Sequence, residues 1–120
     1  MRNMSFSITK SQMYERRKSV TRRLGWRFLR PGDVVMAVEK GRGLKKGEQI
    51  RKIYPIEILS VRTEPLGGIT QDDLLLEGFP EMTASEFVRM FCATHRGCTP
   101  ETLVNRIEFR PVEPDKKTVP

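Results

Sequence analysis

Apolar residues in this 120-residue chain come in short runs broken by glycine and proline, which limits the fold to short strands and few helices. Val34-Val35-Met36-Ala37-Val38 is a continuous apolar run whose length and branching predict a buried strand. Arg30-Pro31-Gly32-Asp33 before it is turn chemistry, because proline presets one dihedral and glycine accepts the next at little steric cost. The basic loop Gly41-Arg42-Gly43-Leu44-Lys45-Lys46-Gly47 follows. Met4 to Ile8 alternates apolar and polar residues, as a half-buried strand does. Residues 49–62 form another strand region, with Ile56 to Val61 as its core piece. Pro55 marks an edge, a bulge or the start of a new strand, since proline donates nothing to a ladder. Residues 103–109 close the set, with Ile107 and Phe109 on one face.

Three helices are expected between these strands. Thr9-Lys10-Ser11-Gln12 has the spacing of a capping box and predicts a short helix over residues 10–17, with Met13 buried. Thr70-Gln71-Asp72-Asp73 can cap a second one through Leu74, Leu75 and Leu76. Thr83-Ala84-Ser85-Glu86 is the clearest helix start, and Phe87, Met90 and Phe91 at i, i+3, i+4 give that helix one apolar stripe. Gly97 is expected to end it. Short strands, Gly/Pro turns and few helices predict an α+β domain built as a small mixed β-barrel with flanking short helices. One domain over residues 1–110 and a loose, flexible tail over 111–120, rich in proline and lysine, complete the expectation.

The charge is divided unevenly along the chain. The net charge is +7, but residues 1–52 carry fifteen Lys/Arg against four Asp/Glu, while residues 53–120 carry seven against eleven. Such asymmetry is the electrostatic footprint of a polyanion-binding face, with a merely solubilising surface as the bland alternative. No run is long enough for a membrane span, and no apolar leader opens the chain, so a cytoplasmic protein without membrane contact is expected.

The positive charge peaks at Arg16-Arg17-Lys18-Ser19-Val20-Thr21-Arg22-Arg23. Neighbouring cations should lower the Lys18 ammonium pKa, and a lysine poised that way can serve as base or nucleophile. Thr21 offers it a hydroxyl if the backbone turns between them. The plainer reading is an exposed patch that grips phosphate with point charges and arginine forks.

This stretch resembles the Gly-x-Lys-x-x-Thr-x-Arg signature of the ASCH family, which has a PUA-like β-barrel fold. Lys18, Thr21 and Arg23 fall in register, and Arg16 stands where the signature has glycine. The resemblance extends through the opening strand and helix, Pro31-Gly32-Asp33 leading into Val34–Val38, the Glu77-Gly78-Phe79 connector, the Phe87–Phe91 helix and the closing strand. It implies a barrel with a basic cleft that binds RNA, a nucleoside or a nucleotide. Some family members are amidohydrolases that deacetylate acetylcytidine, and others are linked to RNA binding or RNA cleavage. Carried over, the resemblance implies Lys18 as base, Thr21 as nucleophile and a glutamate as acid or stabiliser, with Glu77 the better match and Glu81 the second choice. Arg23 would steady the site, and Arg16, Arg17 and Arg22 would set the surrounding field.

Other features add binding candidates. Trp26 beside Phe28 can stack on bases or simply pack in the core. Lys45 and Lys46 at a hairpin tip can meet phosphates or remain solvated. Cys92-x-x-His95-x-x-Cys98 holds metal-ligand types, but a closed structural site takes four ligands and the chain has no further Cys or His. The alternative is a buried Cys92 with His95 and Cys98 solvated, and a disulfide is not expected in a cytoplasmic protein. No metal and no cofactor are expected, and a monomer is the default.

Overall fold

The structure is a computed structural model that describes residues 1–113. Five strands, β1 (Asn3–Ser5), β2 (Val20–Arg23), β3 (Val34–Val38), β4 (Lys52–Pro65) and β5 (Leu103–Pro111), form one sheet in the order β1-β3-β4-β5-β2. β1 runs parallel to β3, and the other neighbours are antiparallel. Three helices, α1 (Lys10–Tyr14), α2 (Gln71–Glu77) and α3 (Ala84–Ala93), and a single 3-10 turn at Leu66–Gly68 complete the described part. The architecture is mixed α+β, as expected, but the sheet is open. β1 and β2 are its edges and share no backbone ladder, so the expected barrel is not closed. One side chain spans the gap: the Arg23 guanidinium on β2 donates to the Ser5 carbonyl on β1 at 2.6 Å.

Several local differences from expectation have physical reasons. Pro55 lies within β4, opposite Met36. Met36 directs its N–H to the Arg2 carbonyl across β1, so the pair opposite it is not a hydrogen-bonded one, and the donor that Pro55 lacks would point to the other side. There the Val112 N–H donates to the Pro55 carbonyl at 2.9 Å. The return bond that Pro55 cannot give falls just past Pro111, the last residue of β5, so the ladder ends where the proline stands. Thr9 precedes α1 without a side-chain cap, its backbone at φ −113°, ψ 25° being outside the extended region that N-caps adopt. Gln12 donates to the Gly78 carbonyl at 3.3 Å instead of reaching back. Thr70 and Thr83 do cap their helices, the latter with the reciprocal Glu86 bond. α3 stops at Ala93 rather than near Gly97, since Thr94 and His95 turn their side chains onto the Phe91 carbonyl. β5 runs one residue past the expected domain end at 110, and the remainder of the expected tail, from residue 114, lies outside the described residues.

Gly97 at φ +75° then folds the chain back, and Cys92 and Cys98 are joined as a disulfide. This overturns the expectation of two unpaired cysteines. Among the described residues no group of three His, Cys, Asp or Glu is placed to hold a metal, and no helix is long and apolar enough to cross a membrane.

Two apolar clusters stabilise the fold. The first gathers Met4, Phe6, Met13, Leu29, Val35, Ala37, Ile56, Ile58, Ile107 and Phe109 from the sheet, α1 and the connections after β1 and β2. The second gathers Leu66, Ile69, Leu74, Phe87, Phe91 and Val104, mostly from the 3-10 turn, α2 and α3. β5 serves both, contributing Val104 to one and Ile107 and Phe109 to the other.

Candidate functional site

The segment between α1 and β2 is irregular, and backbone bonds hold it in place. The Ser19 N–H donates to the Leu76 carbonyl at 2.8 Å, and the Ser19 carbonyl accepts from the Phe109 N–H at 3.0 Å. Lys18 is thereby set against the end of α2, where Gly78 at φ +94° supplies a left-handed C-cap. That cap makes Glu77 the last helical residue rather than part of a connector. Gly78 also lies so close to Gln12 that a Cβ there would meet its side chain at 2.7 Å.

Lys18 Nζ donates to Glu77 Oε1 at 2.6 Å and to the Glu77 carbonyl at 3.0 Å, and both side chains are 3% exposed. Burial pushes the Lys18 ammonium below the ordinary lysine range, and the Glu77 charge opposes that shift without overcoming it. Arg22 Nη1 donates to Glu77 Oε2 at 3.1 Å, its Nη2 pairs with Asp73, and Glu64 lies 3.3 Å from Nη2. Arg106 in turn holds Asp73 with two bonds, of 3.1 and 3.0 Å. Lys18, Arg22 and Arg106 thus face Glu64, Asp73 and Glu77, a balanced network drawn from the segment before β2, from β2, α2, β4 and β5. Arg22 Nε is the one buried side-chain polar atom, among the described residues, without a partner.

Above this network opens a cleft of about 930 Å³. Lys18, Thr21, Arg22, Arg23 and Glu77 line it, together with Trp26 and Phe28, Phe79, and Phe87, Met90 and Phe91 of α3. Thr21 is buried and accepts from Arg23 Nε at 3.1 Å. Burial lowers the Arg23 pKa to about 10 against the opposing pull of Glu77, and its guanidinium lies 4.7 Å over the Phe6 ring. Trp26, at φ +71°, packs partly on the first apolar cluster and pairs with Phe28 at 5.6 Å between ring centroids. Asn105 anchors the preceding turn by donating to the Leu24 and Gly25 carbonyls.

The structure therefore brings Lys18, Thr21, Arg22, Arg23, Trp26 and Glu77 to one cleft. Arg16 and Arg17 are exposed and stand outside its lining, paired with Glu113 and Glu15. Arg16 adopts φ +58°, the left-handed conformation that favours glycine, at the position where the ASCH signature has glycine. Its guanidinium lies 4.8 Å over the Tyr54 ring. Lys45 and Lys46 are exposed and do not line the cleft; Lys40 and Arg42 of the same loop region do, as does Arg2. Glu81 is exposed and also outside the lining. Sequence reasoning missed Glu64, Asp73, Arg106 and Asn105 as supporting residues. Asp73 carried only a capping signal, and nothing in the alternation of β5 marks Arg106 as buried.

No family model matches the chain, and no curated protein matches it. Solved structures do. Hypothetical protein PH0355 aligns over 92% of this chain and 97% of its own, with a TM-score of 0.66 and 14% identity. A protein of Enterococcus faecalis V583, described under DUF984, aligns over 85% of this chain with a TM-score of 0.61 and 15% identity, and the alignment spans 65% of its length. An ASCH domain from Lactobacillus crispatus JV V101 aligns over 92% of this chain and 79% of its own, with a TM-score of 0.56 and 15% identity. At these identities the likeness concerns the backbone arrangement, and it agrees with the element order described above. The chain has an ASCH-type fold.

Proposed function

We propose that this domain binds a base of RNA, or a nucleoside or nucleotide, in the cleft above Lys18 and Glu77. The observation that carries this reading is the lining itself: six Lys and Arg side chains, one carboxylate and a Trp26–Phe28 aromatic pair around one cavity. Aromatic faces stack on bases with little regard to sequence, and cations meet the phosphates. Trp26 is the only tryptophan, so its fluorescence reports occupancy directly. Titration with single-stranded RNA is expected to quench it at low salt, with affinity falling as salt rises. Absence of binding to RNA and to nucleosides at low ionic strength would refute the reading.

The 2.6 Å Lys18–Glu77 contact favours a second reading, hydrolysis of an acetylated cytidine. In its neutral form Lys18, whose pKa burial lowers, takes the Thr21 hydroxyl proton as Thr21 Oγ1 attacks the acetyl carbonyl. The C–N bond then breaks, the cytosine amine leaves with the proton from Lys18, and an acetyl ester remains on Thr21. Water, deprotonated by Lys18, cleaves that ester to acetate and free Thr21. Incubation with acetylcytidine should release acetate and cytidine in equal amounts, and Thr21→Ala should abolish release. Undiminished turnover in Thr21→Ala would exclude the acyl-threonine route. The same incubation with single-stranded RNA, followed by chain length, tests for ribonuclease activity.

A further inference from the structure

Positive charge in the cleft is divided between two depths that differ in how it is compensated. At the floor, Lys18 and Arg22 are buried and bonded to Glu77, Asp73 and Glu64, so their charge is paired, while Arg23 has no carboxylate partner and turns its donors onto Thr21 and the Ser5 carbonyl. At the rim, Arg2, Lys40 and Arg42 are exposed. Among the described residues Arg2 and Arg42 have no carboxylate within salt-bridge distance, and Lys40 has only a loose one, Glu48 at 3.7 Å. The Arg2 guanidinium lies 4.8 Å over the Phe28 ring, which holds its planar fork against the aromatic wall. Gly41 brings the other two close by: a Cβ on it would stand 3.6 Å from Ser5 of β1, which places the 40–42 segment beside the strand that follows Arg2. A floor whose charges are mostly paired and whose donors are bonded fits a base, and an uncompensated, exposed rim fits an anion.

We infer that Arg2, Lys40 and Arg42 form a phosphate subsite at the mouth of the cleft, so that a ligand enters base first and leaves its phosphate at the rim. This rests on the base-binding reading above and narrows it to phosphorylated ligands: a nucleoside monophosphate or the phosphodiester of an RNA chain. Recognition would be by charge-assisted hydrogen bonds, the guanidinium forks supplying direction and the ammonium a point charge.

The test compares cytidine, cytidine 5′-monophosphate and a short single-stranded oligonucleotide by Trp26 fluorescence at fixed salt. The wild-type protein should bind the monophosphate about tenfold or more tighter than the nucleoside, as one or two charge-assisted bonds imply. In Lys40→Ala/Arg42→Ala, two exposed positions whose replacement should leave the unfolding midpoint in place, that ratio should collapse towards one. Equal wild-type binding of nucleoside and monophosphate, or a ratio that survives in the variant, overturns the subsite while leaving base binding intact. Binding of none of the three ligands overturns both readings. A preference for the oligonucleotide over the monophosphate that is also lost in the variant identifies the phosphodiester as the source of the recognised group.

Discussion

Replacing Glu77 by glutamine keeps the side-chain volume and one carbonyl oxygen but removes the only carboxylate paired with Lys18 among the described residues. Arg22 keeps Asp73 and Glu64, so the loss falls on Lys18. Breaking a buried pair by removing one partner costs about 3–5 kcal/mol, because the other charge is left uncompensated. Lys18 has a way to limit that cost, since burial already lowers its pKa and the variant can release the proton. The lower end of the range, about 3 kcal/mol, is therefore expected at neutral pH, or about 10 °C in Tm for a domain of this size. The sign of the pH dependence follows from linkage. Glu77 raises the Lys18 pKa, so its removal drops that pKa further, and the unfolded chain then binds more protons than the folded variant over a wider alkaline window. The deficit relative to wild type should accordingly narrow as pH rises. Urea unfolding followed by Trp26 fluorescence at several pH values measures it. In Lys18→Met/Glu77→Gln both charges are gone, and much of the stability should return. A deficit below about 1 kcal/mol, one independent of pH, or a double variant as weak as the sum of the singles would refute a buried, charge-compensated pair.

Three other outcomes can be checked with the same material. Burial would raise the Asp73 pKa, yet hydrogen bonds from Arg106 and Arg22 outweigh it and hold the carboxyl at about 2. The stabilisation it brings is full above 3.8 and lost as pH falls towards 2, so acid unfolding across that window, followed by circular dichroism, should be shallower in Asp73→Asn. Arg23→Met removes the bond to the Ser5 carbonyl, so the Phe6 amide, bonded to Val38, should exchange with deuterium faster than in wild type while β4 amides are spared. Reduction of Cys92–Cys98 opens a short loop and should cost on the order of 2 kcal/mol, and thiol titration of the unreduced protein should find neither cysteine free.

The features legible in sequence were those set by local chemistry. The Val34–Val38 strand has the bounds its apolar run implies, and the Thr83–Glu86 box forms as spaced. Lys18, Thr21 and Glu77, brought together by the family resemblance and not by local chemistry, line one cleft although Lys18 and Glu77 lie 59 residues apart. What was hidden depended on partners distant in the chain. Gln12 has the spacing of a capping residue, but Gly78 competes for its amide. Arg22 is one of five neighbouring cations, and only the meeting of β2 with α2 makes it a buried, neutralised one. Of the cations that line the cleft, Arg2, Arg23 and Arg42 have no carboxylate within salt-bridge distance among the described residues, and two of the three, Arg2 and Arg42, lie outside the run at Arg16 to Arg23. Sheet closure was equally beyond reach, since strand lengths and turns do not say whether the first and last strands in space will pair.

The charged network stands where the two apolar clusters meet, for β5 presents Val104 to one and Ile107 to the other with Arg106 between them. This position couples the two parts during unfolding. Were α2 to lift away alone, Asp73 and Glu77 would leave with it: Lys18 would lose its carboxylate, Arg22 would keep only Glu64, and Arg106 would keep loose contacts with Glu64 and Glu108. Such a partly opened state is costly, so the helical layer gains little from opening before the sheet does. A seam of opposite charges thus binds two hydrophobic cores into a single cooperative unit.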